Sequence, residues 1–484
     1  MSRVAPLNVD MSVSPKKFIC LTLKRIAYII FINLIDIKLT AITGENRMEV
    51  FYDRKIELKA LSEIESQSIK NACFTVLTGR RRIGKTTLLK KSIENKNNAY
   101  LFTTRNAEKE LCKKWQKNLQ ESLGLKIFGQ TESLSDLFEQ LMIFSQSTHF
   151  TLVIDEFQDL EFVSKAFFSQ TQNIWDSYKE NSKINLIVCG SVYSMMTKIF
   201  REEKEPLFGR ATHFIHLKPF TPSVVKQILY NYNPDYSSED LLCLYMLSGG
   251  VAKYIFLLMF AGATTKEKML LSVANMASPF LTDGKDILVS EIGKDYGVYF
   301  SILSAIAEGL TSQSEIDSVI QKNTGAYLQN LHRIFGVIEP IRPLYSKQES
   351  RNVRWQIVDD YLRFYFFFLY AHQDLIELGN YDKLLEYILR DYETFTGKTL
   401  EHYFTAKLSE EKKPEKIGGW WDKKSQNEID IITVSDLEKA CQIYEVKRQA
   451  KKIDLQKVQA KAETFMKNLP GYSHTVSGLS MEDM

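Results

Sequence analysis

From Gly79 to Thr86 the chain reads Gly-Arg-Arg-Arg-Ile-Gly-Lys-Thr, a Gly-x-x-x-x-Gly-Lys-Thr loop of the kind that holds phosphate. The apolar run at 74–77 predicts the strand that delivers it, and residues 86–93 predict the helix that leaves it. That strand–loop–helix order separates a phosphate loop from a chance match and sets the fold class as α/β. Gly79 and Gly84 free the backbone to turn its N–H groups toward a phosphate at the positive end of the helix. Lys85 places one compact positive charge on the β and γ phosphates, and the Thr86 hydroxyl is the expected Mg2+ ligand. Arg80, Arg81, Arg82, Ile83 and Thr87 complete the loop expected to wrap an ATP.

At 484 residues the chain has room for two to four domains. An apolar content of 44% beside 25% charged residues is globular rather than disordered. With 62 basic and 59 acidic residues the net charge is +3, so any surface for nucleic acid must be local. Cys20, Cys73, Cys112, Cys189, Cys243 and Cys441 show no metal-ligand spacing. They read as small core residues of a reducing compartment, hence a cytoplasmic protein. The seven histidines are scattered and spell no zinc site.

Residues 1–47 stand apart. Residues 26–35 are apolar and follow Lys24 and Arg25, yet Asn33, Asp36 and Lys38 interrupt the stretch. It is too short to span a bilayer, and no small-residue cleavage site follows. The expectation is an upstream or disordered extension before a start at Met48, with a peripheral amphipathic anchor as the alternative.

From Met48 the pattern divides into a nucleotide core at 48–221, a helical lid at 222–292, three helices and a hairpin at 293–360, a helical joint at 361–392, and a C-terminal α/β domain at 393–484. Residues 151–156 are strand formers ending in Asp155-Glu156, a Walker B pattern about seventy residues beyond the loop. Asp155 would hold Mg2+ through water opposite Thr86, and Glu156 would orient the water attacking the γ-phosphate. Another buried strand at 185–190 ends at Ser191, either a sensor beside the γ-phosphate or a strand-end turn. Arg210 reaches a nucleotide, its own or that of a neighbour in a homo-oligomer, or makes a surface ion pair.

Taken together, the opening Phe-x-x-Arg-x-x-Glu-Leu at 51–58, the Gly-Arg-Arg-x-x-Gly-Lys-Thr-x-Leu loop and Ile-Asp-Glu-Phe-Gln at 154–158 resemble the archaeal-type ATPase family, in the AAA+/STAND group of P-loop ATPases. Gly-Ser-x-x-Ser-Met-Met at 190–196 and Leu-Phe-Gly-Arg at 207–210 extend the resemblance, which covers about 48–260. It implies a P-loop NTPase parallel sheet with a helical lid. Ser-Gly-Gly-Val-Ala-Lys-Tyr at 248–254 is similar to the family's Gly-Gly-Val-Pro-x-Tyr, with Ala252 in place of proline.

Helices at 299–309, 314–320 and 325–335, then strands at 337–341 and 354–358, read as a winged helix-turn-helix. Asn323, Gln329, Asn330 and Arg333 would face outward, with Tyr327, Leu328 and Leu331 inward. Asn, Gln and Arg read bases, which makes DNA a candidate partner; the dense lysine and arginine of a strong phosphate grip is missing, and the module could equally serve packing. The aromatic run at 361–370 reads as a buried helix joining modules.

Toward the C-terminus, Glu401 lies on a helix, Asp430 on a strand at 428–434, and Glu-Val-Lys at 445–447 on the next strand, followed by a helix at 451–468. Side chains alternate along a strand, so Glu445 and Lys447 share a face. The order resembles the PD-(D/E)xK restriction-endonuclease-like fold, and also the uncharacterised C-terminal domain often fused to this ATPase family. The resemblance implies Asp430 and Glu445 as Mg2+ ligands, Glu401 as an outer ligand, and Lys447 as the residue that handles the water. Two functions follow: an ATP-hydrolysing switch coupled to a DNA-directed nuclease, or a regulatory ATPase whose C-terminal domain only binds.

Overall fold

Five short strands share one parallel sheet, and their burial follows their place in it. In this computed structural model, which describes residues 51–125, 131, 133–347, 352–422 and 426–484, β1 (Cys73–Gly79), β2 (Asn98–Phe102), β3 (Phe150–Asp155), β4 (Ile184–Cys189) and β5 (His213–Leu217) take the order β2-β3-β4-β1-β5. Strands β3 and β4 are buried at every position, as a strand covered on both faces must be; β2 and β5 alternate and stand at the edges. Helices α1 (Lys55–Ser68), α2 (Lys85–Ser92), α3 (Glu108–Leu123), α4 (Leu134–Ser147), α5 (Phe167–Tyr178) and α6 (Tyr193–Arg201) accompany the sheet. One apolar core joins them, in which the Phe74 ring packs at 5.1 Å from Trp175 and 5.7 Å from Phe200. The parallel order brings the C-terminal ends of β1, β3 and β4 side by side, which is where the loop residues, Asp155 and Ser191 lie.

The lid is helical, as expected: α7 (Pro222–Tyr232), α8 (Ser238–Ser248), α9 (Ala252–Phe260), α10 (Lys266–Val273) and α11 (Phe280–Ile292). Every residue of α8 from Asp240 to Ser248 is buried, which makes it the axis of the lid. Within α11, Gly284 lies flat on the Tyr365 ring, where an added Cβ would come within 2.4 Å. That glycine sets how closely the lid approaches the aromatic joint.

Next come α12 (Gly297–Ala307), α13 (Gln313–Ile320), with a Ser312–Glu315 capping box at its start, and α14 (Gly325–Gln329), then the antiparallel hairpin β6 (Ile338–Ile341) and β7 (Arg354–Ile357). The third helix is not the single piece expected, since α14 widens into a π-type turn at Asn330–Ile334. Leu328 and Leu331 point inward, and Asn323, Gln329 and Arg333 are exposed. Asn330, expected outward, is half-buried and donates to the Tyr299 hydroxyl of α12 at 3.0 Å, because the widened turn rotates it toward that first helix.

The aromatic joint is buried: α15 (Asp360–Phe364) runs into a second wide turn at Tyr365–Tyr370. After it, α16 (Tyr381–Lys412) continues for 32 residues. The domain boundary expected between 392 and 393 therefore falls inside one helix. Gly397 is tolerated there with open space around its α-carbon, and no proline occurs before Pro414. The last sheet, in the order β11-β10-β9-β8, contains β8 (Lys416–Trp421), β9 (Glu428–Ser435), β10 (Ala440–Val446) and β11 (Ser473–Leu479). Strand β10 pairs antiparallel with β9 and parallel with β11, and the parallel pair is joined by the crossover helix α17 (Leu455–Met466), as parallel strands require. Trp420, Ile432, Ile443, Val458 and Phe465 fill its core. Strands β8 and β11 were not anticipated.

Of residues 1–52 only Phe51 and Tyr52 are described, and neither lies in a helix or strand. The expectation for 1–47 falls outside the described residues. Among the described residues no helix is long and apolar enough to cross a membrane, and the five cysteines, all but Cys20, are buried free thiols.

Candidate functional site

The loop after β1 is shaped by two glycines that no other residue could replace. Gly79 has φ +150°, and a Cβ there would meet the Leu217 carbonyl oxygen at 2.7 Å; Gly84 has φ +99°. Gly84 is also the residue before α2 and offers no side-chain acceptor, so the first N–H groups of that helix are left for a ligand. Arg82 takes a left-handed φ of +73°, a strained conformation of the kind that gathers at binding sites. The Lys85 amine turns back to donate to the carbonyls of Gly79 at 2.8 Å and Arg80 at 3.0 Å. Burial pushes its pKa down, against the opposing charges of Glu156 and Asp155.

Thr86 Oγ1 donates to Asp155 Oδ2 at 2.9 Å, which joins the two expected Mg2+ residues directly. The Tyr100 hydroxyl donates to the same oxygen. Asp155 Oδ1 accepts from the Glu156 backbone N–H at 2.9 Å and from the Cys189 thiol at 2.8 Å. Burial, and then the Asp155 charge, push the Cys189 thiol well above its ordinary pKa, so it serves as an S–H donor and not merely as core filler. Glu156 has a left-handed φ of +54°. Its Oε2 accepts from Ser191 Oγ at 2.7 Å, Ser191 N at 3.2 Å and Gln158 Nε2 at 2.6 Å. Thr86, Asp155, Glu156 and Ser191 thus form one connected group, and Lys85 stands beside Thr86 at the start of α2. Exposed helix-start amides, an ammonium, a hydroxyl and hard carboxylate oxygens are the donor set that fits a nucleotide phosphate with Mg2+. Arg210 is placed elsewhere, in the surface ion pair: it holds Asp176 at 3.1 Å and the Phe208 carbonyl at 2.9 Å.

The three loop arginines turn their side chains away from the loop and toward later elements, leaving their backbone for phosphate. Arg80 pairs with the buried Asp359 just before α15. Arg81 donates to Ser290 Oγ at 3.2 Å, and Arg82 pairs with Asp283, which also takes Lys253 at 2.9 Å. From the same lid helix α11, Glu291 accepts the backbone N–H groups of Tyr193 at 3.0 Å and Ser194 at 3.3 Å at the start of α6. Arg54, in a left-handed conformation, donates to Lys218 O at 2.8 Å and Ile83 O at 3.4 Å. Sequence reasoning missed Tyr100, Asp283, Glu291 and Asp359. No local signal marked them: α11 also carries Lys285 and Asp286, so Asp283 and Glu291 do not stand out along it.

In the C-terminal sheet the expected residues do converge. Asp430 Oδ2 accepts the Val446 N–H at 2.8 Å and the Lys447 ammonium at 3.4 Å. Glu445 is bracketed by Lys447 at 2.8 Å and Lys461 at 3.4 Å. Glu401 pairs with Lys398. Among the described residues no group of three or more His, Cys, Asp or Glu side chains is placed to hold a metal ion. Asp430 and Glu445 share Lys447, and Glu401 is engaged with Lys398 on its own helix. Burial, and next the Glu401 charge, push the Asp430 carboxyl up to about 6 from 3.8. The folded chain thus holds that proton more tightly than the unfolded chain. The stability this gives is complete below about pH 4 and is lost as pH rises to about 6, a change of about 3 kcal/mol. Asp430→Asn, which stays neutral, should gain that much over the parent between about pH 4 and pH 7. Urea midpoints across that range check it, and a difference that does not vary with pH would remove the burial argument.

Known proteins agree with this geometry. Residues 51–258 match the family described as an ATPase domain predominantly from Archaea, and residues 365–462 match one described as archaeal and bacterial proteins of unknown function. The uncharacterized protein MJECL04 of Methanocaldococcus jannaschii is 29% identical over 421 residues, covering 84% of this chain and 90% of its own. A Walker-type ATPase of Pyrococcus abyssi has a similar fold, with a TM-score of 0.51 at 20% identity over 66% of this chain and 97% of its own. The chain carries an ATPase domain of the archaeal P-loop type.

Proposed function

We propose that the archaeal-type ATPase domain is an ATP-hydrolysing switch, and that it controls a C-terminal domain acting on DNA as a metal-dependent endonuclease. The observation that carries the ATPase half is the connected group of Thr86, Asp155, Glu156 and Ser191 beside the loop that Lys85 closes on itself. A bound Mg2+ would neutralise charge on the transferring phosphoryl group, held through Thr86 and Asp155. Lys85 exchanges the Gly79 and Arg80 carbonyls for the β and γ phosphates. Glu156, fixed by Ser191 and Gln158, orients the attacking water. The DNA half is supported by Asp430, Glu445 and Lys447 at the crossing of β9 and β10. It is supported further by the helices α12 to α14 and the hairpin after them, where the exposed Asn323, Gln329 and Arg333 are base-reading types.

The second reading is a regulatory ATPase with a binding-only C-terminal domain. It is favoured by the lysines that already bracket Glu445. Cleavage of mixed DNA with Mg2+ or Mn2+, with and without ATP, compared with Lys447→Ala, separates the two. The nuclease reading expects ATP-modulated cutting that falls at least about a hundredfold in Lys447→Ala while ATP turnover persists. Turnover without cutting by the parent chain would replace it with the second.

A further inference from the structure

The ammonium of Lys85 spends two of its three donors on carbonyls of its own loop, those of Gly79 and Arg80. A phosphate that draws the ammonium forward loosens its bond to the Arg80 carbonyl, and the Arg80 side chain is paired with Asp359. Asp359 has only 6% of its side chain exposed and caps α15 by accepting the Leu362 N–H at 3.0 Å. The next residue, Asp360, accepts from His402 Nδ1 of α16 at 2.9 Å and faces Arg363 at 3.6 Å. Arg363 in turn donates to Thr399 Oγ1 and lies 3.9 Å over the Phe395 ring. About one turn before Thr399, Thr396 of α16 accepts from Arg448, the neighbour of Lys447 in the C-terminal cluster, at 2.6 Å. The hydrogen-bonded steps join buried or half-buried groups, where polar contacts are strongest.

We infer that the Arg80–Asp359 pair is the contact through which phosphate in the loop resets the C-terminal carboxylate cluster, by way of Asp360, His402 and α16. This rests on the reading above only in assuming that the loop binds nucleotide and that the C-terminal cluster is a working site. A ligand shifts a two-state element only by its different affinity for the two states. Here the difference proposed is in the Lys85 bond to the Arg80 carbonyl, which a phosphate on the same ammonium weakens.

The test is amide exchange, read by mass spectrometry over 393–446 of the full chain, with no nucleotide, with ADP, and with a non-hydrolysable ATP analogue plus Mg2+. The parent chain is expected to change exchange in α16, β9 and β10 on analogue binding, by about five- to a hundredfold. Asp359→Asn keeps an acceptor for the Leu362 N–H and removes the charge. It is expected to bind the analogue with unchanged affinity and to lose most of that response. Arg80→Gln, read at saturating analogue, should lose the same response, and the double variant should lose no more than either single one. A full response in Asp359→Asn would overturn the inference and leave the switch intact. A parent chain that binds the analogue with no change over 393–446 would instead sink the coupling that the proposed function itself assumes.

Discussion

Lys85→Ala should bring Mg2+-dependent ATP turnover down by at least about a thousandfold, the scale set by single charges that stabilise a transferring phosphoryl group. No neighbour is positioned to replace it. Arg80 and Arg82 are held by Asp359 and Asp283, and Arg81 reaches Ser290. The substitution also strips a donor from the Gly79 and Arg80 carbonyls, for which a cost of about 1–3 kcal/mol is expected. Thermal unfolding must therefore accompany the phosphate-release assay, so that loss of catalysis is read on folded protein. Lys85→Arg would not rescue it, since a planar fork cannot reproduce a compact ammonium on two carbonyls at 2.8 and 3.0 Å. Turnover that survives Lys85→Ala in folded protein would place the chemistry elsewhere in the chain.

Glu156→Gln should have a different signature, with ATP still bound and hydrolysis lower by about a hundred- to a thousandfold. The Glu156 Oε2 accepts three hydrogen bonds, two of them from Ser191, and a glutamine oxygen can keep them. What it lacks is the charge that polarises the water, so ground-state binding survives while the chemical step does not. The comparison is of kcat with the ATP dissociation constant: Lys85→Ala should disturb both, Glu156→Gln only the first. Equal losses in both quantities for Glu156→Gln would assign this carboxylate to binding instead.

Much of the nucleotide site was legible because its residues sit at fixed offsets within single strand–loop–helix units. Gly79, Gly84, Lys85 and Thr86 are neighbours in sequence, and Asp155 and Glu156 end a strand whose buried run announces itself. Partners drawn from remote helices left no such trace. Arg81 and Ser290 are 209 positions apart, and nothing local to Ser290 or Asp359 marks either as a neighbour of the loop. Edge strands were hidden for another reason. Strand β11 is exposed or half-exposed at every position, so its sequence carries no long apolar run. The C-terminal residues were found by spacing alone, and spacing could not show that Lys461 would share Glu445 with Lys447.

The uninterrupted helix α16 turns the junction between the aromatic joint and the C-terminal sheet into a question of angular phase. At 1.5 Å per residue its 32 residues reach about 48 Å, and each residue advances the face by about 100°. Thr399 and His402 answer to α15 on that rod, Glu410 to the start of α7, and Glu401 to the far sheet. One residue gained between 393 and 399 would swing the upstream turns about 100° out of step with everything after them. Seven would nearly restore the step while lengthening the rod by about two turns. Length changes that a flexible linker would absorb are thus sorted here by helical turns, and insertions and deletions in this joint should persist only in whole-turn sizes.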